Sequence, residues 1–122
     1  MSVITTTLGG EKITLARPRS YAARYDVLVA SGQNQSRALV AALGLCWVGP
    51  TRPRARYERT HNPLTYGGEV LDELVERGLR RGDILAAAVQ AWPLATEGLA
   101  DAEAVKEVEG KSEAPEGDST SR

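Results

Sequence analysis

Residues 34–47, NQSRALVAALGLCW, decide the fold. After Arg37 the stretch holds no charged side chain, and its apolar residues leave no polar face at helical spacing. A helix that is apolar nearly all round belongs in the interior of a domain. We therefore predict a central buried helix over 34–47, which the Gly49-Pro50 pair ends.

Upstream of this helix, residues 3–15 read VITTTLGGEKITL. Two β-branched runs flank Gly9 and Gly10, and two glycines are a common hairpin turn because both positions can take a positive φ. The pattern predicts a short β-hairpin with strands over 3–8 and 11–16.

Three further helices are predicted around the central one. The first covers 21–31 and has Ser20 as its N-cap. Another covers about 68–77, after a pair of glycines, with its valine and leucine side chains facing inward. The last is capped by Asp83 and should end or kink at Pro93, because proline lacks the N–H that a helix needs. The fold class is thus mainly α, a small single domain of about four helices with an N-terminal β-hairpin.

Charge divides the chain in two. The full sequence has 15 Lys and Arg against 16 Asp and Glu, but residues 1–96 carry a net charge of +4 and residues 97–122 a net charge of −5. The second stretch has Leu99, Val105 and Val108 as its large apolar residues, too few to offset the entropy of ordering it. We expect a helical domain over 1–96 and an acidic, mostly disordered tail over 97–122.

Composition excludes several classes of protein. With 122 residues the chain supports one domain, and its one cysteine, Cys46, excludes a disulfide framework. His61 is the one histidine, so a two-histidine metal site is excluded as well. No apolar run approaches the about 20 residues that a membrane helix needs, and the N-terminus lacks the apolar stretch of a secretory signal. We expect a cytoplasmic protein that is not an enzyme and holds neither a metal nor a cofactor.

The strongest basic signal is the polar segment 51–63, TRPRARYERTHNP. It places Tyr57 among four arginines, which are Arg52, Arg54, Arg56 and Arg59. Arginines bind phosphates and tyrosine stacks on bases, but the same cluster can dock a carboxylate-rich protein or the acidic tail, or can be a solvated loop. The low net charge of residues 1–96 ranks nucleic acid last among these interpretations.

An acidic stripe is predicted on the helix over 68–77. Its members recur at spacings of three and four and are Glu69, Asp72, Glu73 and Glu76. Such carboxylates can hold a divalent cation or transfer protons, but a solvated helix face with a Glu73–Arg77 pair is the favoured interpretation.

Large aromatic side chains lie near the ends of the predicted elements: Trp47, Tyr57, Tyr66 and Trp92. Rings with a polar tip often contact partners at such places, and a small helical domain with an apolar groove can hold a partner helix. Closure of the core is the alternative, and it ranks first for Trp47.

Two stretches carry a family resemblance. Residues 5–28, TTTLGGEKITLARPRSYAARYDVL, resemble the start of tail assembly chaperones of long-tailed bacteriophages, which often begin with a hairpin, a proline bend and a run of helices. Residues 67–92, GGEVLDELVERGLRRGDILAAAVQAW, are similar to the C-terminal helical pair of that family. The likeness covers roughly residues 1–98.

The resemblance implies a function. Such a chaperone coats the long tape-measure protein in the host bacterial cytoplasm until tail-tube subunits polymerise around it. We would then expect the tape-measure protein as partner, the tail-tube protein as a second one, and several self-associating copies. The contact residues would include the Arg52–Arg59 loop, Tyr66, Trp92 and the acidic stripe. The alternatives are a small nucleic-acid-binding or regulatory protein that acts through the same loop, and a structural virion component such as a connector.

Overall fold

Four helices and a small sheet make up the part of the chain that the computed structural model describes, residues 3–99. The helices are α1 (Tyr21–Ala30), α2 (Gln35–Cys46), α3 (Pro63–Glu76) and α4 (Arg81–Ala95). The strands are β1 (Val3–Leu8), β2 (Glu11–Ala16) and β3 (Trp47–Val48), in the order β1-β2-β3. The predicted mainly α fold with an N-terminal β-hairpin is confirmed. Within residues 3–99, no helix is long and apolar enough to cross a membrane.

The hairpin has the predicted strands and the predicted turn. Gly9 and Gly10 have φ angles of 61° and 85°, the left-handed backbone that a type I′ turn requires. The two strands pair antiparallel along their full length. Side chains alternate across the pleat, and one face buries Leu8, Ile13 and Leu15. The hairpin is therefore anchored to the helices through that face.

Side-chain caps fix the starts of α1 and α2. Ser20 accepts a hydrogen bond from the N–H of Ala23 at 3.1 Å, which confirms its predicted role. Asn34 accepts one from the N–H of Arg37 at 3.1 Å. Most side chains of α2 are buried, and α3 and α4 both pack along it far more extensively than on each other. The predicted central helix is confirmed.

β3 was not predicted, because the chain leaves the helix at Trp47, where the apolar run continues. Trp47 and Val48 pair antiparallel with Leu15 and Thr14 of β2. Gly49, at a φ of 108°, then redirects the chain. A strand of two residues is too short to show alternating apolar and polar side chains, so the sequence pattern predicts a continuation of the helix there.

The prediction that a helix begins near residue 68 is wrong, because α3 begins at Pro63. Asn62 caps it and accepts hydrogen bonds from the N–H groups of Leu64 and Thr65 at 3.0 and 3.1 Å. Proline suits the first turn of a helix, where its missing N–H leaves no bond unmade. The pair of glycines read as a helix start thus lies inside α3.

Close contact between α2 and α3 explains Gly67 on α3 and Gly44 on α2. A Cβ atom on Gly67 would overlap the backbone carbonyl of Arg37 on α2. A Cβ atom on Gly44 of α2 would lie 2.6 Å from the Tyr66 hydroxyl and 2.9 Å from a methyl group of Val70. Gly44 and Gly67 therefore let the two helices approach closer than any side chain would allow.

α4 begins differently from the prediction, and it does not end at Pro93. Its N-cap is Arg80, which makes no capping bond, and Asp83 lies in the first turn, where its charge favours the helix dipole. The helix continues past Pro93 for two residues. Thr96 closes the last turn, since its N–H and Oγ1 both donate to the carbonyl of Trp92, at 3.0 and 2.9 Å.

The folded part of the chain extends beyond residue 96. Leu99 is only 1% exposed, and the carboxylate of Glu97 lies 3.7 Å from the guanidinium of Arg17. Residues 97–99, assigned above to the tail, therefore contact the helical domain. The rest of the expected tail, residues 100–122, lies outside the described residues.

Replacing Gly67 by alanine should destabilise the protein by about 1–3 kcal/mol, because the backbone of Arg37 cannot rotate away from the new methyl group. Gly68→Ala is the matched control. Its Cβ would lie 3.5 Å from the nearest atoms, which belong to the flexible Arg37 side chain. Alanine is also the better helix former, so this variant should equal the parent or exceed it by up to about 1 kcal/mol. Urea unfolding followed by circular dichroism compares them, and equal effects of both changes would contradict the close helix contact.

Candidate functional site

The arginines predicted to form one cluster are spread over different surroundings. Arg56 folds back onto its own loop, where its guanidinium donates to the carbonyls of residues 53–55 at 2.8–3.1 Å. Arg52 and Arg54 are exposed on two separate surfaces, and Arg59 is exposed on a 3-10 turn. Arg56 is thus a loop-building residue, and the four side chains do not act as one patch.

Tyr57 and Tyr66 close the core, which corrects their predicted role as partner contacts. Both are buried, and their rings meet edge to face with centroids 5.7 Å apart. The Tyr57 hydroxyl donates to the carboxylate of Asp26 at 2.7 Å. Burial, together with this hydrogen bond and the charge of Asp26, raises the pKa of Tyr57. Burial raises the pKa of Tyr66 to about 12, so both phenols stay protonated at neutral pH.

The tryptophans also belong to the core and its edge. Trp47 is buried, and its indole N–H donates to Oγ1 of Thr51 at 3.2 Å. The guanidinium of Arg77 lies over the Trp47 ring, 5.8 Å from the centroid. Core closure, ranked first for Trp47, is confirmed. Trp92 is half-buried and packs against the core cluster.

Glu73 is a structural residue, which corrects its place on a solvated stripe. Its carboxylate accepts hydrogen bonds from the backbone N–H of Arg54 at 2.7 and 2.9 Å and of Ala55 at 3.2 Å. The predicted pair with Arg77 is present at 3.0 Å. Partial burial raises the pKa of Glu73, but these hydrogen bonds and the Arg77 charge outweigh it and hold the pKa below the ordinary 4.5. Glu73 therefore holds the loop over 51–56 against α3 through the backbone N–H groups of Arg54 and Ala55.

The other carboxylates of α3 form an exposed surface, here called the acidic face, which consists of Glu69, Asp72 and Glu76. They line an open depression of about 620 Å³ together with Glu73, Arg54 and Arg77. Within residues 3–99, none of the three forms an ion pair. In the same part of the chain, no group of three or more His, Cys, Asp or Glu side chains is placed to hold a metal ion. The acidic face thus has three carboxylates without an ion pair in this part of the chain, and the side chains of Arg54 and Arg77 lie in the same depression.

A second surface, here called the arginine cleft, lies between the end of β2, the start of α1 and β3. It encloses about 740 Å³ and is lined by Arg17, Arg19, Arg24 and Arg52 and by the apolar Ala16, Pro18, Leu45 and Val48. No acidic residue of the described part lines it. Arg19 and Arg52 form no ion pair or side-chain hydrogen bond with another described residue. Sequence reasoning found only Arg52, although the Arg-Pro-Arg segment at 17–19 was a visible signal.

Arg24 anchors the floor of the arginine cleft. It is 7% exposed, and its guanidinium donates to the carbonyl of Ala95 at 2.8 Å and to the carbonyl of Glu97. The carbonyl of Ala95 belongs to the last turn of α4 and that of Glu97 follows it, at the helix end where the dipole favours a cation. The buried arginine therefore ties α1 to the end of α4.

A third surface, here called the helix groove, lies between α3 and α4, with α2 as its floor. Its lining includes the buried Val40 of α2 and the half-buried Leu71 and Leu85, around a concavity of about 330 Å³. Four polar residues complete the lining: Asn34, Ser36, Arg37 and Arg81. Val75 and Val89 lie one turn C-terminal to Leu71 and Leu85, outside this lining, and are 48% and 57% exposed. The groove therefore has one apolar side chain on each wall within a mixed polar and apolar lining.

Cys46 and His61 lie in different surroundings. The Cys46 thiol is buried in α2 and donates to the carbonyl of Ala91 at 3.6 Å. Burial raises its pKa to about 12, so the thiolate is scarce at neutral pH. His61 is exposed, with its ring edge-on to Tyr57 at a centroid distance of 5.8 Å. The two side chains therefore offer no nucleophile–base arrangement of the Cys–His kind.

No protein-family model, curated protein or solved structure matches this chain.

Changing Glu73 to Gln should destabilise the protein by on the order of 1–2 kcal/mol at neutral pH, because the amide keeps the shape but not the charge. Glu69→Gln is the matched control, since Glu69 is exposed on the same helix and unpaired within residues 3–99. It should change stability by less than about 0.5 kcal/mol. Urea unfolding at neutral pH measures both, and an effect as large for Glu69 would show that the loop does not depend on Glu73.

The lowered pKa of Glu73 also fixes a pH dependence. A carboxylate with a depressed folded-state pKa stabilises the protein above its unfolded-state pKa, near 4.5 here, and loses that effect as the pH falls through the folded value. The stability difference between the parent and Glu73→Gln should therefore be largest above pH 4.5 and shrink as the pH falls below it. A difference that does not shrink on acidification would contradict this assignment.

Proposed function

We propose that this protein is a tail assembly chaperone of a long-tailed bacteriophage. It is a non-enzymatic protein that binds apolar helical segments of the tape-measure protein, in several copies, in the host cytoplasm. It keeps that partner soluble until tail-tube subunits polymerise around it. The observation that carries the proposal is the helix groove, and the resemblance of residues 5–28 and 67–92 to that family supports it.

The helix groove has the spacing that an apolar helix needs. Leu71 and Val75 lie one turn apart on α3, and Leu85 and Val89 lie one turn apart on α4. A partner helix presents its apolar side chains at the same interval, about 5.4 Å per turn. The polar lining includes the guanidinium groups of Arg37 and Arg81. These favour a partner helix that carries carboxylates beside its apolar face.

The size of the domain implies many copies on each partner. The 14 residues of α3 span about 21 Å, or about four helical turns. One copy therefore covers only a few turns of a much longer partner, and neighbouring copies have to cover the rest. Modest affinity per copy with avidity across many copies allows the tube to displace the chaperone.

Co-expression with the tape-measure protein tests the proposal. The parent chain should raise the soluble fraction of the tape several-fold, and size-exclusion chromatography should show a complex with many chaperones per tape. Val89→Asp, beside the groove, should lose most of this effect, because a carboxylate there is buried against apolar partner side chains.

The matched control is Val29→Asp, which changes a valine that is 53% exposed on α1, outside the groove. It should act as the parent does. A tape that stays insoluble with the parent chain present would refute the proposal, and stable retention of the protein in finished virions would favour a connector instead.

Nucleic-acid binding is the second candidate, and the arginine cleft is the observation that favours it. Counterion release would drive such binding, but the whole chain has 15 Lys and Arg against 16 Asp and Glu. We expect DNA and RNA to bind more weakly than about 1 µM at physiological salt. Tighter binding with a steep salt dependence, lost on changing Arg19 and Arg52 to Ala, would place this candidate first.

A further inference from the structure

The arginine cleft and the acidic face carry opposite charges that the described residues leave unpaired. Arg19 and Arg52 form no ion pair in this part of the chain, and neither do Glu69, Asp72 and Glu76. Arginines are the charged residues that line the cleft. Four carboxylates and two arginines, Arg54 and Arg77, line the depression of the acidic face, so its charge is mainly negative.

The loop over 51–56 keeps the two surfaces apart within one copy. Arg52 lines the cleft and Arg54 lines the acidic face, with the buried Pro53 between them. Glu73 holds this loop against α3 through the backbone N–H of Arg54 at 2.7 Å. Within residues 3–99, the cleft and the acidic face of one copy are therefore separate surfaces that do not cover each other.

We infer that the acidic face of one copy docks in the arginine cleft of the next. Glu69 and Glu76 are two turns apart, so the three carboxylates extend over about 10 Å of helix. Arginine binds carboxylates with paired N–H donors, which gives such a contact direction as well as strength. The occupant of the cleft is therefore α3 of a second copy of this chain.

Such a contact is head to tail, because it joins two different surfaces. Contacts of this kind lead to rings or open chains rather than closed dimers. On α3, the helix groove is lined by Leu71, whereas the acidic face consists of Glu69, Asp72 and Glu76, so the two surfaces use different side chains. The inference rests on the proposed function for its purpose, but its test needs this chain alone.

Charge reversal on each surface tests the contact. One variant is Arg19→Glu with Arg52→Glu, and the other is Glu69→Lys with Glu76→Lys. All four side chains are exposed and unpaired within residues 3–99, so both variants should keep the circular dichroism spectrum of the parent. In sedimentation velocity at low salt, the average mass of the parent should rise with concentration and fall as salt is added. Each variant alone should stay monomeric.

The equimolar mixture of the two variants is the decisive measurement. One variant keeps its acidic face and the other keeps its cleft, and the reversed cleft is acidic while the reversed face is basic. The mixture therefore regains both contacts, and it should assemble again with the two variants alternating. Arg59→Glu with Arg80→Glu is the matched control, with the same charge change outside both surfaces, and it should assemble as the parent does.

Three results would overturn the inference: a parent that stays monomeric, reversal variants that still assemble, or a mixture that stays monomeric. None of them bears on the groove, whose test is the solubility of the tape. Conversely, normal assembly combined with an insoluble tape would refute the proposed function and leave this contact standing.

Discussion

The backbone contact between α2 and α3, at Gly44 and Gly67, is the constraint on which the rest of the structure depends. It lets Tyr66 lie across Gly44, where the rings of Tyr66 and Tyr57 meet edge to face. Both tyrosines therefore become part of the hydrophobic core. The contact also places the C-terminal half of α3 where Glu73 reaches the loop over 51–56. A wider spacing between α2 and α3 would separate α3 from Tyr57 and from the loop over 51–56.

The position of α3 in turn creates the surfaces that we consider functional. Because α3 and α4 each pack along α2 and barely touch each other, a groove remains between them. Glu73 holds the loop over 51–56 through backbone N–H groups, and Arg77 holds it through the carbonyls of Thr51 and Arg52. Arg52 and Arg54 lie on different surfaces of this fastened loop. The packing of α3 and these loop contacts thus help to position the surfaces.

Short stretches of sequence predicted the features that depend on interactions between residues close together in the chain. Gly9 and Gly10 specify a turn because both adopt a positive φ. Ser20 caps α1 by accepting a hydrogen bond from an N–H only three residues further along the chain. The start of α3 could not be read in this way, since Gly67 resembles a helix breaker until Arg37 of another helix is placed against it. The same reason hid β3, whose pairing partner lies more than thirty residues upstream.

The candidate site was predicted less well than the fold, because surfaces combine distant residues. Arg52 was found from its loop, but the cleft unites it with Arg17 and Arg24, which are brought there by the proline bend and by α1. Tyr57 has a ring and a hydroxyl suited to a partner contact, but it is buried. Its hydroxyl donates to Asp26 on α1, a contact that the sequence alone does not reveal. The function of the protein stays a proposal.

The buried Arg24 constrains the order in which the parts of the domain fold. The hydrogen bonds of Arg24 cross 71 and 73 positions of sequence to reach the carbonyls of Ala95 and Glu97. A guanidinium taken from water without acceptors is strongly unfavourable, so α1 cannot settle until those carbonyls exist. On the ribosome, nearly the whole domain has to emerge before it can close. Until then the apolar α2 is exposed, and the nascent chain itself is at risk of aggregation.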